Sequence, residues 1–154
     1  MLYKTGLIIG RFQPFHKGHL YLIREALKKI DKLIIGIGSS NINNEKNPFS
    51  YKEREKYIKT ALKKYKLLDK IIKIVPLEDY PDNNDYWLQE LKKKTGNFNV
   101  AVSNNDWVIG ILKERDIKTI SFSFYKRDIY EGVKIRKELK KSKNSAQILK
   151  KYLT

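Results

Sequence analysis

The sequence predicts a doubly wound, Rossmann-like α/β fold, in which a five-stranded parallel sheet carries helices on both faces and is followed by C-terminal helices. First, short apolar segments alternate with segments of helical periodicity, which favours parallel strands joined by helices. Second, the apolar segments are nearly continuous, as in strands buried on both faces. Third, 154 residues without a visible repeat or linker suit one domain over residues 1–154.

In the first half of the chain, apolar runs predict strands at Thr5–Gly10, Lys32–Gly38 and Asp69–Leu77. Two helical patterns lie between them. Gly18–Ile30 places apolar residues at helical spacing and predicts the first helix. Ser50 begins the second helix, because a glutamate three residues later completes a capping box.

The second half continues the alternation and ends in a helical region that is broken near Ser142–Ser145. In order, its predicted elements are a helix at Asp85–Lys94, a strand at Phe98–Ser103, a helix at Trp107–Lys113, a strand at Lys118–Phe124 and helices over Gly132–Leu153. Ligands of doubly wound sheets bind beyond the carboxyl ends of the strands, where the strand order switches. We therefore expect the functional site just after Gly10, Gly38, Leu77 and Ser103.

Composition excludes several classes of protein. Hydrophobic residues at 41% exclude wholesale disorder, and no run approaches the ~20 apolar residues of a membrane span. The absence of cysteine excludes disulfide scaffolds, thiolate metal sites and cysteine nucleophiles. The 33 basic residues exceed the 17 acidic ones by 16, which favours anionic partners. We expect a soluble cytoplasmic protein with no membrane partner.

The segment Gly10–His19, which reads GRFQPFHKGH, contains both histidines of the chain. It follows the first strand and enters the first helix, whose N-terminal N–H groups suit a phosphate. His16 and His19 are three residues apart, so both side chains can lie on one face of the helix start. Gly18 would let a phosphate approach the backbone, and the Arg11 guanidinium can bind two phosphate oxygens at once.

Other assignments of this segment have less support. Two histidines could bind a metal, but no cysteine or carboxylate nearby completes a ligand set, so we predict no metal site in the protein. The sequence also lacks a G-x-x-x-x-G-K-[ST] P-loop and a G-x-G-x-x-G fingerprint, which argues against P-loop kinases, GTPases and dehydrogenases.

The H-x-G-H pattern resembles the signature of the nucleotidyltransferase α/β-phosphodiesterase superfamily. The longer GRFQPFHKGH is similar to the archaeal-type nicotinamide-nucleotide adenylyltransferases, and further segments match this family in order along nearly the whole chain. These segments are GIGSS at Gly36–Ser40, KNPFSYKER at Lys46–Arg54, Asp79, NDYW at Asn84–Trp87, and SNN at Ser103–Asn105, where Asn104 replaces a family glycine.

The resemblance implies that the 5′-phosphate of nicotinamide mononucleotide attacks the α-phosphorus of ATP, giving NAD and pyrophosphate. The catalytic residues would be His16, His19 and Arg11, and Mg²⁺ would arrive with ATP. The resemblance also assigns five ATP-binding residues, which are Gly10, Phe12, Gly18, Gly132 and Arg136. Lys46 would hold a phosphate on the mononucleotide side.

The remaining mononucleotide-binding residues implied by the resemblance are Ser39, Asp79, Asn84, Trp87 and Asn105. Trp87 would stack on the cationic nicotinamide ring, and the alternative is a core aromatic residue on an amphipathic helix. Ser39 and Asp79 would bond to the carboxamide or the ribose, and Asp79 could instead be a plain turn residue. Asn105 would touch the adenosine or merely shape a turn.

The main departure from the family lies at Tyr130–Arg136, which reads YEGVKIR. The family has a Ser-Gly-Thr-x-Ile-Arg-like segment there, so Glu131 and Val133 replace two hydroxyl residues that would face the ATP phosphates. Either Lys134 and nearby cations compensate for the carboxylate, or the enzyme is weakened or altered in substrate.

Two other functions remain open. One is another H-x-G-H nucleotidyltransferase with a different phosphate substrate, which would not need Trp87. The other is a noncatalytic basic protein that binds nucleic acid by stacking, but its tail has few aromatic residues and H-x-G-H would be unexplained. We therefore expect no nucleic-acid partner. The resemblance also implies a homo-oligomer, for which the sequence identifies no interface.

Overall fold

The computed structural model describes residues 1–123, 126, 131–142 and 144–153. Over these residues, the strands form one parallel sheet in the order β3-β2-β1-β4-β5. The strands are β1 (Tyr3–Gly10), β2 (Ile30–Ile37), β3 (Ile71–Pro76), β4 (Val100–Val102) and β5 (Thr119–Ile120). The helices are α1 (Lys17–Leu27), α2 (Tyr51–Lys64), α3 (Asn84–Thr95), α4 (Asp106–Glu114), α5 (Gly132–Lys141) and α6 (Ser145–Leu153), with a short 3₁₀ turn at Leu68–Lys70.

The strand order reverses between β1 and β4, which lie side by side although two strands separate them in the chain. The chain moves outward from β1 to β3 in one direction and from β4 to β5 in the other. The loops after β1 and β4 therefore diverge and open a crevice at the carboxyl edge of the sheet. Gly10 is level with Ile37, and Ile37 is level with Pro76, so three strands end together there.

Successive residues of β1 face opposite sides of the sheet, as the strand period of two requires. Ile8 packs with the apolar sides of α1 and α2, whereas Leu7 and Ile9 pack with those of α3 and α4. Helices thus cover both faces, and the predicted doubly wound fold is confirmed. The C-terminal helices α5 and α6 form a third apolar cluster, which packs against Tyr57 of α2.

Most predicted elements occur within a few residues of their expected bounds, and the differences come from sheet pairing. Ile30 was predicted to end α1, but it pairs with Tyr3 and is the first residue of β2. The fifth strand is shorter than the predicted Lys118–Phe124, because only Thr119 and Ile120 pair with β4. Phe124, the predicted end of this strand, lies outside the described residues. The predicted break in the C-terminal helix is present between Lys141 and Ser145.

The capping box predicted for α2 is present. Glu53 N–H donates to Ser50 Oγ at 3.2 Å, and Ser50 N–H donates to Glu53 Oε1 at 3.1 Å. These reciprocal bonds satisfy two N–H groups that the helix itself leaves unpaired. They also fix where α2 leaves the preceding loop, which contacts the site described below.

No helix in the described part of the chain is long and apolar enough to cross a membrane.

Candidate active site

Two adjoining cavities lie at the carboxyl edge of the sheet. The large cavity, of about 990 Å³, is lined by residues that include Ser39, Asp79 and Trp87. The small cavity, of about 340 Å³, is lined by residues that include His16 and His19. The two cavities share four residues, which are Ile9, Gly10, Arg11 and Asn105. They therefore meet at the ends of β1 and β4, where the strand order reverses.

The loop between β1 and α1 begins with a close contact between a glycine and an aromatic ring. Phe12 is buried, has a φ of 54° and lines the small cavity. A Cβ on Gly10 would lie 2.9 Å from the Phe12 ring, so only glycine fits there without displacing it. A left-handed backbone costs a phenylalanine about 1–2 kcal/mol. Packing of the buried Phe12 ring against Gly10 helps to hold the backbone in this conformation.

The two histidines cap the N-terminus of α1. His16 is the N-cap residue, and its Nδ1 accepts a hydrogen bond from Gly18 N–H at 3.0 Å. His19 Nδ1 accepts from His16 N–H at 3.2 Å, which completes a capping box. Because a backbone N–H only donates, neither Nδ1 carries a proton. In a neutral ring the proton then resides on Nε2, so Nε2–H is the donor that each ring can offer to a ligand.

Packing keeps both imidazole rings neutral. The rings stack with centroids 3.8 Å apart, and His19 also lies between Phe15 at 5.6 Å and Phe12 at 4.8 Å. Burial lowers the pKa of His16 to about 4, and burial together with His16 lowers the pKa of His19 well below its ordinary value. At neutral pH the small cavity therefore contains two uncharged N–H donors.

Two arginines bring positive charge to the small cavity. Arg11 lines both cavities and donates to Asn47 Oδ1 at 3.2 Å. Arg136 of α5 donates to Gln13 O at 2.6 Å, and burial and Arg11 lower its pKa. A Cβ on Gly132 would lie 2.8 Å from the Arg136 guanidinium, so this glycine leaves room for it. Because the positive charges of Arg11 and Arg136 repel each other, a bound anion would stabilise both guanidinium groups.

Sequence reasoning missed a buried arginine beneath the site. The side chain of Arg54 is fully buried and donates to Arg11 O at 2.8 Å, Gly38 O at 2.7 Å and Ser39 O at 3.4 Å. It thereby joins the loop after β1 to the loop after β2. Gln13 makes a second buried link, because its amide exchanges two hydrogen bonds with the backbone of Phe49. The signal was present, since Arg54 ends the family-like segment Lys46–Arg54.

In the large cavity, Ser39 and Asp79 contact each other directly. Ser39 Oγ donates to both carboxylate oxygens of Asp79, at 3.1 and 2.9 Å, and Ser39 has a left-handed φ of 51°. Asn41 brackets the Asp79 backbone, accepting from its N–H at 2.8 Å and donating to its carbonyl at 3.2 Å. Asp79 lies in the loop just before the turn at residues 81–82, and it lines the large cavity.

Two tryptophans line the large cavity, and only one of them was singled out from the sequence. Trp87 is 4% exposed and packs in the core with Leu88 and Leu91. Trp107, at the start of α4, is 49% exposed. Their ring centroids are 5.5 Å apart at an interplanar angle of 65°, an edge-to-face contact. The sequence signal for Trp107 was its place at the start of the predicted helix that follows the fourth strand.

The asparagines of the predicted site lie at helix starts. Asn84 is the first residue of α3 and lines the large cavity. Asn105 is the N-cap of α4, and its Oδ1 accepts from Trp107 N–H at 2.9 Å and from Val108 N–H at 3.2 Å. It caps the helix start and also lines both cavities, and its contact with the adenosine stays a prediction.

Lys46 is the one predicted site residue that lines neither cavity. It lies in an exposed turn, where its N–H donates to Asn44 Oδ1. The neighbouring Asn47 contacts Arg11 instead. The turn points its buried asparagine rather than its lysine toward the site.

Glu131 and Val133 lie where the departure from the family predicts them, at the small cavity beside Gly132. Glu131 is the N-cap of α5, and its side chain makes no capping hydrogen bond. Its carboxylate lies 3.8 Å from Lys134 Nζ. Val133 is 46% exposed. A carboxylate therefore lines the same cavity as the two histidines and Arg136.

Comparison with known proteins identifies this arrangement. Residues 7–147 match the model of the cytidylyltransferase-like family. The chain is 39% identical over 139 residues to the nicotinamide-nucleotide adenylyltransferase of Methanolobus tindarius, covering 88% of this chain and 77% of that one. It is 34% identical over 135 residues to the enzyme of the same name from Halorubrum lacusprofundi, covering 87% of this chain and 74% of that one.

A solved structure resembles it as well. The bifunctional NMN adenylyltransferase/ADP ribose pyrophosphatase of Francisella tularensis, crystallised with AMP and a manganese ion, is 35% identical and superposes with a TM-score of 0.76. The match covers 89% of this chain but only 41% of the Francisella protein. The protein therefore belongs to the cytidylyltransferase-like family and, within it, to the nicotinamide-nucleotide adenylyltransferases.

Proposed function

We propose that the protein joins nicotinamide mononucleotide to the adenylyl group of ATP, giving NAD and pyrophosphate. The observation that carries this proposal is the pair of cavities that meet at Arg11, one lined by donors for phosphate and the other by aromatic and acidic groups. Two substrates held in these cavities would have their phosphates next to each other. The names of the archaeal relatives support the same reaction.

In this proposal the ATP phosphates lie in the small cavity. The Nε2–H groups of His16 and His19 donate to phosphate oxygens, and Arg136 adds a guanidinium from α5. Gly18 and Gly132 lie in the first turns of α1 and α5, where N–H groups and the helix dipole favour an anion. Gly10 and Phe12 form the wall between β1 and α1.

The mononucleotide lies in the large cavity. Asp79, oriented by Ser39, would accept hydrogen bonds from the carboxamide or the ribose. Asn84, Trp87 and Asn105 complete the wall, and Arg11 would hold the 5′-phosphate between the two cavities. Lys46 remains a proposed phosphate ligand, and its exposed turn would have to bring the side chain inward.

The reaction step requires positioning more than acid–base chemistry. A lone pair of a mononucleotide phosphate oxygen forms a bond to the α-phosphorus of ATP. The bond from that phosphorus to the bridging oxygen breaks, and its electron pair leaves with pyrophosphate. The attacking oxygen is already anionic and needs no base. Neutral histidines suit this step, because they donate hydrogen bonds to the developing charge without having to lose a proton.

The structure of the Francisella relative contains a manganese ion together with AMP. The described residues of this chain contain no group of three or more histidines, aspartates or glutamates that could hold such an ion. We propose that Mg²⁺ enters as the complex of ATP and screens the phosphate charge. Since ATP is a cytoplasmic substrate, we also propose a cytoplasmic location.

The test is an assay of the purified chain with ATP, Mg²⁺ and either nicotinamide or nicotinic acid mononucleotide, in which pyrophosphate and dinucleotide are both measured. We expect equal amounts of the two products with at least the nicotinamide substrate. If no pyrophosphate and no dinucleotide form with either mononucleotide, the proposal is wrong. Product only with a different phosphate acceptor would support another nucleotidyltransferase of the family.

A further inference from the structure

We propose that Arg54 is a positioning residue for the reaction, which holds the two cavities in a fixed relative position so that the two bound phosphates meet. Arg54 lines neither cavity, so it acts through the loops that do. This inference rests on the proposed function for the identity of the two substrates.

Arg54 joins the loops after β1 and β2 where their backbone pairing stops. Just past the two strands, Gly38 N–H still donates to Gly10 O at 2.8 Å. Beyond this bond, no backbone hydrogen bond joins the two loops in the part of the chain that the structure describes. Instead, Nη1 of Arg54 donates to Arg11 O at 2.8 Å and to Gly38 O at 2.7 Å. One guanidinium nitrogen thus pairs two carbonyls that the sheet itself leaves without a partner.

The same guanidinium extends to the large cavity and to its own helix. Its Nη2 donates to Ser39 O at 3.4 Å, and its Nε donates to Ser50 O, at the N-cap of α2, at 3.3 Å. Ser39 Oγ in turn bonds to the Asp79 carboxylate in the large cavity. Arg54 therefore sets the position of Arg11, where the cavities meet, relative to the Ser39–Asp79 pair.

The charge of Arg54 is costly where it lies. The side chain is fully buried, and its hydrogen bonds to described residues all end on backbone carbonyls rather than on a carboxylate. Burial and, to a smaller extent, the positive charge of Arg11 lower the pKa of Arg54. An apolar side chain could fill this volume without burying a charge. The guanidinium is therefore better explained by the loops it holds than by stability.

The groups within each cavity have contacts that do not involve Arg54. The histidine capping box and the Ser39–Asp79 pair are independent of it, and Asn47 holds the Arg11 guanidinium at 3.2 Å. Without Arg54, each substrate should still bind its own cavity, but the relative position of the two is no longer fixed. A misplacement of about 1 Å between reacting groups can cost ~10²-fold in rate. A ligand that spans both cavities should lose affinity for the same reason.

This reasoning predicts a selective loss in Arg54→Met, which keeps the length of the side chain but removes its charge and donors. Nicotinamide mononucleotide, AMP and NAD, which joins the two, are titrated separately by calorimetry. We expect the variant to bind each mononucleotide within about 3-fold of the wild type, but NAD about 10- to 100-fold more weakly. We expect kcat to fall by about the same factor, with little change in either KM.

Ile58→Ala is the matched control for lost stability. Ile58 lies one turn further along α2, is fully buried and lines neither cavity. The cavity that alanine leaves should lower the melting temperature without changing kcat or the affinity for NAD. Arg54→Lys keeps the charge but lacks the planar set of donors, so it should recover only part of both quantities. If Arg54→Met does not fold, Arg54→Lys provides the same comparison with a smaller expected loss.

Two results would make the inference wrong and leave the proposed function in place, provided that the wild type makes dinucleotide. One is a normal kcat and NAD affinity in Arg54→Met or, if that variant does not fold, in Arg54→Lys. The other is an equal loss of affinity for AMP, nicotinamide mononucleotide and NAD, which would indicate a general structural role.

The proposed function fails separately. If the wild type makes no dinucleotide and does not bind NAD, both proposals are wrong. If the wild type binds NAD without making it, a selective loss of NAD affinity in the variant would support the role of Arg54 and overturn only the reaction.

Discussion

The starts of α1 and α5 both line the small cavity, yet they are built differently. At α1, His16 and His19 satisfy the backbone N–H groups in a capping box and are fixed by Phe12 and Phe15. At α5, the N-cap is Glu131, whose side chain makes no capping hydrogen bond. Arg136, one turn further along α5, links this helix to the α1 loop by its hydrogen bond to Gln13 O.

This difference suggests a division of roles. The α1 terminus is rigid before any ligand arrives, which suits groups that must stabilise charge in the transition state. The α5 terminus combines the Glu131 carboxylate with two cations, Lys134 and Arg136, so its charge balance changes when a phosphate binds. We therefore expect substitutions at α1 to affect turnover and those at α5 to affect the affinity for ATP.

The largest expected effect is that of His19→Ala. Removing one preorganised donor should lower kcat by about 10²–10³-fold, while the KM for the mononucleotide changes little. Because this change also removes the acceptor for His16 N–H, His19→Gln is the matched control. Glutamine at this position of a capping box supplies an acceptor. We expect it to restore the melting temperature but not kcat, and near-normal turnover in both variants would remove His19 from the mechanism.

The second prediction concerns stability against pH. The pKa of His16 is about 4 in the folded protein and 6.5 in its ordinary state, so the unfolded chain binds the proton first as the pH falls. Neutral His16 therefore makes its full contribution to the free energy of unfolding above pH 6.5. This contribution, up to about 3 kcal/mol, is lost as the pH falls from 6.5 to 4. Urea unfolding across this range measures it.

His16→Asn is the control, because asparagine is a good N-cap residue that does not titrate. Its stability should fall less steeply than that of the wild type between pH 6.5 and 4. Parallel curves for the two proteins would show that His16 is not buried in its neutral form.

At α5, Arg136→Ala should raise the KM for ATP by about 10- to 100-fold, as expected when a charged group loses its hydrogen bonds. The KM for the mononucleotide should change little. Arg136→Lys keeps the charge but cannot form the same two-point contact, so we expect an intermediate value. An unchanged KM for ATP in Arg136→Ala would exclude α5 from phosphate binding and contradict the comparison.

The smallest expected effect is a gain. Replacing Glu131 by serine and Val133 by threonine should tighten ATP binding about two- to fivefold, because a carboxylate near the triphosphate is replaced by a hydroxyl donor. The gain should be larger at low salt, where charges are less screened. Val133→Thr alone is the control for the added hydroxyl. Equal or weaker ATP binding in the double variant would show that Glu131 points away from the phosphates.

The sequence alone was sufficient for the order of the elements and for the location of the histidine segment. Apolar runs identify strands because a parallel sheet buries both of its faces, and the alternation with helical patterns leaves few topologies. Gly10–His19 was identifiable because the phosphate-binding groups of a helix start are contiguous in the chain. Strand bounds were less certain, as Ile30 illustrates, because the pairing partner decides them.

Only the tertiary structure decided the properties that depend on residues distant in the chain. The neutral state of His19 requires the rings of Phe12 and Phe15 around it, and the role of Arg54 requires carbonyls from two different loops. The contrast between the buried Trp87 and the half-exposed Trp107 is likewise set by how α3 packs against α4. Residue type and spacing specify which groups a chain offers, but solvent exposure and the local electric field arise only once the elements pack together.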